Sequence, residues 1–290
     1  MRTNEQILDR MSEDLMLRGL ATRTQHSYLS CARLFLNWSG CPAEAMDEEN
    51  IRAYLNHLIT EKDLSASSVN IYSSALRFLF AVTLDRNLNY RQIPRLKQGR
   101  KLPEILSRSE LVRVFEHAST LRNKAVLMTV YGAGLRLSEV CNLKVRDIDS
   151  ESMRIFVCGK GNKDRYTLLS QTNLEVLREY WKAYKPIHTA GWLFLSNDGS
   201  KQVHWRTVEK AFSSAAQHAG ISKKVTLHTL RHCFATHLLE DGVDIYRIKQ
   251  LLGHTSIQST TIYLHLRNFS AELISPLDAI SKNTGIRGEC

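Results

Sequence analysis

The stretch 86–101, RNLNYRQIPRLKQGRK, holds six basic residues and no acidic one. Pro94, Gly99 and Pro103 break any regular element there, because proline fixes its φ and offers no amide donor. Such a stretch divides a chain, and 290 residues suffice for two ordinary domains. The expectation is therefore a first domain over 1–85, a basic linker over 86–104, and a second domain beyond it. Charge differs across the division. Residues 1–85 carry eight basic and eleven acidic residues, net −3, and residues 102–290 carry twenty-five against eighteen, net +7. The total of +10 thus sits in the linker and the second part. That points to a polyanionic partner, the competing reading being a basic surface kept for solubility.

Residues 4–85 read as helices. Ile7, Met11 and Leu15 recur at four-residue spacing before Gly19. A second run starts at Thr22 or Thr24, carries Tyr28, Leu29, Ala32, Phe35 and Trp38, and stops at Gly40 and Pro42. A third is capped by Asp47, and a fourth follows the Ser65–Ser68 cluster. Four amphipathic helices with short turns make a small bundle. No apolar run approaches the roughly 20 residues of a membrane span, and no signal segment is read at the start, so the expected location is the cytoplasm. Six scattered cysteines without a CxxC pair read as reduced thiols.

In the second part, Ser107 and Glu110 are spaced as a capping box, and 122–131 reads as a buried helix. YGAGLRLSEV follows, with Arg136 just after a glycine turn and Glu139 three residues on, placed to pair with it. The one clear β signal is a hairpin: two β-rich runs, 154–158 and 165–169, flank GKGNKD, with Lys160 near the tip. A lysine there reaches into a groove as a proton donor or is an exposed turn lysine. A short strand at Trp192–Leu195 and a helix over 204–219 complete the reading.

Chemistry concentrates in Val225–His265. Leu230, Phe234 and Leu238 make an apolar stripe, His228 and Arg231 share a face, and Thr226 is a suitable cap. A second helix, about Asp244 to Leu252, ends at Gly253 and leaves His254 just past it; a third carries Tyr263. A phenol nucleophile, fixed cations and imidazoles suit covalent chemistry at a phosphate. His228, His232 and His237 lack the HExxH pattern, a cysteine pair or nearby carboxylates, so no metal site is expected. His232, His237 and His265 are read as core or surface residues rather than catalysts.

Together, Arg136 in GAGLRLSEV, Lys160 in GKGNKDR, His228 and Arg231 in HTLRH, His254 in LLGH and Tyr263 in TTIYLH resemble the active-site set of the tyrosine recombinase (phage integrase) family. In length and spacing the chain is most similar to the short Xer-type members, without an added arm-binding domain. Cys233 stands where a hydroxyl residue is common, which predicts a local packing difference.

The resemblance implies a mainly α fold with a small β-hairpin or sheet, an α+β catalytic domain over 105–268, and a core-binding domain over 1–85. The two domains would form a clamp around DNA, with a tail over 269–290 exchanged between subunits. It implies a site-specific recombinase that needs neither metal, ATP nor any cofactor. Tyr263 would attack a scissile phosphate, giving a 3′-phosphotyrosyl bond and a free 5′-hydroxyl. Arg136, Arg231 and His254 would hold the phosphate oxygens, Lys160 would protonate the leaving oxygen, and His228 would assist the tyrosine proton. Partners would be duplex DNA with specific sites and a homotetramer on two duplexes, or a heteromer with a partner recombinase. The place of action would be the nucleoid, with no membrane involved. The alternatives are a type IB topoisomerase-like DNA relaxing enzyme and a non-catalytic DNA-binding protein.

Overall fold

The computed structural model describes residues 2–86, 89, 93, 95–97, 102–159 and 164–265, the side chain of His265 excepted. The chain forms two compact units that divide between Arg100 and Lys101.

The first unit packs α1 (Asn4–Leu17), α2 (Thr22–Ser39), α3 (Glu48–Thr60) and α4 (Ala66–Phe78). Each start is chemically marked where a side chain can answer the orphan amides of a first turn. Thr3 and Gln6 form a reciprocal capping box, and Asp47 accepts from Glu49 and Asn50. One stripe of each helix turns inward, so Ile7, Met11, Leu15, Phe35, Ile51, Leu76 and Phe80 share one core. The fourth helix does not simply stop: it widens into a π turn, Leu79–Thr83. Two parts of the expected linker fold back on this unit. Ile93 is buried in its core, and the Asn70 amide bonds the Leu96 backbone in both directions.

The second unit begins with α5 (Arg108–Glu116), opened by the Ser107–Glu110 capping box, and α6 (Leu121–Ala133). Gly134 ends α6 at φ +61°, and α7 (Leu137–Cys141) follows. A three-stranded antiparallel sheet runs in the order β1 (Ile148–Asp149), β2 (Arg154–Val157), β3 (Arg165–Leu168). Val157 pairs with Arg165, and Ile155 and Val157 face the core. Then come α8 (Gln171–Tyr184), α9 (Trp205–His218), α10 (Leu227–Glu240), α11 (Ile245–Leu252) and α12 (Gln258–Thr261), ending in a 3₁₀ turn, Ile262–His265.

Helix α10 is buried almost all round, through Leu227, Leu230, Cys233, Phe234, Ala235 and Leu239. A helix apolar on every side is a central one. Among the described residues no helix is long and apolar enough to cross a membrane.

One expectation is corrected, and two elements are added. Trp192–Leu195 is not a strand: Leu193 donates to Leu143 and Val203 donates to Phe194, so its backbone is shared between loops as isolated bridges. Helix α8 and strand β1 were not expected. Tyr263 sits on a helical segment as expected, on the 3₁₀ turn that continues α12. At the start of the second unit the Leu106 amide donates to Cys233 Sγ at 3.3 Å. Burial pushes that thiol up to about 11, so Cys233 is neutral and takes the acceptor role a hydroxyl would fill.

Candidate active site

Buried cations need partners, and Arg231 is only 1% exposed. It stands on α10 and donates to the carbonyls of Gly134 and Leu252, both at 2.6 Å. These carbonyls close α6 and α11, where helix dipoles present negative ends. Glu139 Oε2 lies 3.6 Å away. Burial and the nearby Arg136 draw the Arg231 pKa down. The guanidinium nevertheless stays charged at neutral pH, and two bonds leave other N–H donors for a ligand.

Glu139 joins the cluster. Arg136 donates to it from its backbone amide at 2.7 Å and from Nη1 at 2.8 Å. Arg165 at the start of β3 adds a parallel fork, Nη1 to Oε1 and Nη2 to Oε2, each 2.9 Å. Burial alone would raise this carboxyl. The Arg165 bonds and charge, the Arg136 amide and Arg231 override that and hold it at about 2. Arg165 also donates to the Leu251 carbonyl at 2.7 Å. Its chain passes so close to Gly253 that a Cβ there would lie 2.9 Å from Arg165 Cδ, which explains a glycine at this helix end.

His254 follows Gly253, and its Nδ1 lies 2.9 Å from Thr260 Oγ1. Burial, then the charges of Arg231 and Arg136, hold its imidazole down at about 4. Tyr263 is 1% exposed, and its hydroxyl lies 3.1 Å from His232 Nδ1. Burial raises the phenol, while the charges of Arg231 and Arg136 pull it back. His228 is exposed at the start of α10, its ring 4.6 Å from that of His232 and edge to face. Surrounding protein, Arg231 and Arg136 lower its pKa. Thr226 caps this helix, with its amide donating to Thr229 Oγ1.

Arg136 and His254 line an open cleft of about 1400 Å³, together with Lys144, Arg146, Phe156 and Arg165. Lys160 lies outside the described residues, between the described hairpin residues Gly159 and Asp164. Histidines 228, 232 and 237 do not converge, because His237 Nδ1 faces the Tyr131 hydroxyl at 3.0 Å. Among the described residues no group of three or more His, Cys, Asp or Glu is placed to hold a metal.

Arg136, Arg231, His254 and Tyr263 thus come from four separate elements into one charged neighbourhood. The Arg136–Glu139 pairing was readable from spacing. The bond from His232 to Tyr263 and the fork from Arg165 were not, because each depends on contacts across the fold.

A cluster of fixed cations beside an imidazole and a buried phenol suits chemistry at a phosphate, and the chain's relatives define the class as a DNA strand-transferring enzyme. Residues 104–269 match the phage integrase family, and residues 7–90 match the N-terminal SAM-like domain of phage integrases. The chain belongs to that family and is a site-specific tyrosine recombinase of the Xer-like kind. The Sinorhizobium fredii (strain NBRC 101917 / NGR234) protein y4qK, named as an integrase/recombinase, is 42% identical over 89% of this chain and 83% of its own. The tyrosine recombinase XerD of Rhizobium meliloti (strain 1021) is 32% identical over 90% of each chain. A lambda integrase tetramer bound to a Holliday junction superposes with a TM-score of 0.72 at 22% identity, covering 92% of this chain and 78% of that one. Relatives of this kind favour recombination over DNA relaxation or passive binding.

Proposed function

We propose that Tyr263 is the nucleophile, attacking a scissile DNA phosphate to give a 3′-phosphotyrosyl ester and a free 5′-hydroxyl. Arg136 and Arg231 hold the non-bridging oxygens, and His254 adds a hydrogen bond. Lys160 protonates the leaving oxygen and His228 assists proton movement at the tyrosine. The observation that carries this reading is the junction of the Arg136, Arg165 and Arg231 guanidiniums on the Glu139 carboxylate. The bond energy stays in the ester, so neither metal nor ATP is needed. The 5′-hydroxyl of a partner strand then resolves it through a four-way junction.

In this reading 1–85 is the core-binding domain, 86–104 the linker, 105–268 the catalytic domain and 269–290 the exchanged tail. The two domains clamp DNA in the nucleoid, and four copies assemble on two duplexes. A groove of about 490 Å³ bordered by Arg108, Phe115, Tyr131, Leu168, Phe234 and Leu238 is the candidate seat for a neighbour's tail. That tail offers Leu273, Ile274, Leu277 and Ile280, which lie outside the described residues. Truncation after Asn268 is expected to leave single-site DNA binding intact and to weaken cooperative assembly in gel-shift titrations. Full assembly by the truncated chain would remove the tail from this scheme.

The central test starts from DNA recovered in covalent adducts from cells expressing the chain. A nicked duplex bearing the recovered site is expected to give a denaturant-resistant adduct in EDTA without ATP. Tyr263→Phe is expected to give none. An adduct from Tyr263→Phe would show that another residue attacks.

A further inference from the structure

Among the described residues, the contact given to the Tyr263 hydroxyl is His232 Nδ1 at 3.1 Å, with ring centroids 5.7 Å apart at 54°. His228, one turn earlier on α10, has no bond to that hydroxyl; its ring lies 4.6 Å from His232, edge to face. Exposure rises along the row, from a buried phenol through a half-buried imidazole to an exposed one. A path for a proton out of the buried nucleophile therefore runs through His232 first.

Resting on the assignment of Tyr263 as nucleophile, we propose that His232 is a catalytic residue: it receives the phenol proton when Tyr263 attacks DNA. In this step the Oη–H bond breaks and the proton goes to the Nδ1 lone pair. The Oη electron pair forms the new bond to phosphorus. The bond from phosphorus to the 5′-oxygen breaks, its electron pair leaves with that oxygen, and the oxygen takes a proton from the acid on the opposite side. In religation the imidazolium returns its proton to the phenol oxygen as the incoming 5′-hydroxyl attacks.

The resting state suits this role. Burial, His228 and Arg231 hold the His232 imidazole down at about 4, so the ring is neutral at neutral pH and able to take up a proton. An arriving phosphodiester brings negative charge that offsets Arg231 and Arg136. Proton affinity at Nδ1 then rises at the step where Oη loses its proton. His228 remains placed to share that charge at the solvent edge.

The test uses the full chain and the nicked site DNA recovered from adducts, read as single-turnover cleavage at saturating DNA. His232→Phe is expected to cleave slower by roughly 10²-fold or more, the usual weight of a positioned base. His232→Asn keeps an acceptor near the Nδ1 position but cannot hold the proton, so it is expected to stay slow as well. A substrate with sulfur in place of the bridging 5′-oxygen supplies a leaving group that needs no proton. Both variants should remain slow on it, because their defect lies at the nucleophile. DNA affinity and thermal unfolding within a few degrees of the parent chain would show that the variants are folded. Parent-like cleavage by His232→Phe overturns the proposal. So does full rescue by His232→Asn, which would make His232 a positioning residue, or rescue by the sulfur substrate, which would move it to the leaving group. If Tyr263→Phe itself formed the adduct, the assignment of the nucleophile would fail instead.

Discussion

Glu139 decides more at the residue scale than any of the side chains expected to touch DNA. Arg136 is held by it directly, Arg165 is forked onto it, and the buried Arg231 lies 3.6 Å from it. Removing one partner of a buried ionic cluster leaves uncompensated charge, at a cost of about 3–5 kcal/mol. Glu139→Gln keeps the size, loses the charge and turns an amide donor toward cations. It is expected to lower unfolding stability by that order in urea titrations at pH 7; a loss under about 1 kcal/mol would show that the carbonyls of Gly134 and Leu252 suffice.

The pH dependence has a definite sign. The Glu139 carboxyl is depressed from 4.5 to about 2 in the fold, so its contribution is present above 4.5 and is lost as pH falls toward 2. His232 and His254 are depressed from 6.5 to about 4, so below 6.5 the unfolded chain takes up protons that the native chain does not. Stability therefore declines from about pH 6.5 downward, through both windows. In Glu139→Gln the lower window, between 4.5 and 2, should flatten while the upper one persists.

Elements divide into those that announce themselves and those that need a partner to exist. Helices α1 to α4 were legible because each buries one stripe and three of them begin at a Thr, Asp or Ser whose side chain bonds the first turn. The reverse held for Trp192–Leu195, an apolar run whose backbone partners lie in loops on either side. Strand β1 is two residues long, too short for any alternation to show. Helix α8 carries its signals in the sequence, a Ser170 cap and Leu174, Leu177 and Tyr180 at helical spacing, next to the stronger β signal of the hairpin. In the site, residue types and spacing singled out Arg136, Arg231, His254 and Tyr263, whereas the fork from Arg165 and the contact from His232 arise only when β3, α10 and the last turn meet.

The turn between α6 and α7 offers a sharp check at the same scale. Gly134 sits at φ +61°, and a Cβ there would lie 2.4 Å from Phe234 Cδ1 and 3.1 Å from Leu252 Cδ2. Gly134→Ala combines a left-handed backbone penalty of roughly 1–2 kcal/mol with overpacking of about 1–3 kcal/mol. Gly220, at φ +69°, would meet nothing within 4 Å, so Gly220→Ala isolates the backbone part. The expected result is a clearly larger destabilisation for Gly134→Ala, with slower covalent adduct formation, since the Gly134 carbonyl holds Arg231. Equal losses for the two variants would show that Phe234 moves aside freely.

Charge is a property of the whole molecule, and it was legible before any coordinate. The first 85 residues are net negative, so the net positive charge that would favour a duplex lies in the linker and the second unit. Within the linker, Arg95 and Lys97 are exposed, and Arg95 donates to the Ser74 hydroxyl at 3.3 Å. If the linker lies along a DNA backbone, each lost phosphate contact removes about 0.9 from the slope of log Kobs against log salt. The double variant Arg95→Gln, Lys97→Gln is then expected to lower that slope by up to about 2. It should weaken the recovered site and an unrelated duplex by the same factor, because phosphates carry no sequence. At saturating DNA the Tyr263 adduct should still form at the parent rate, since neither residue belongs to the charged cluster around Glu139. An unchanged slope would place the linker away from the duplex. A loss confined to the recovered site would mean instead that these side chains read bases.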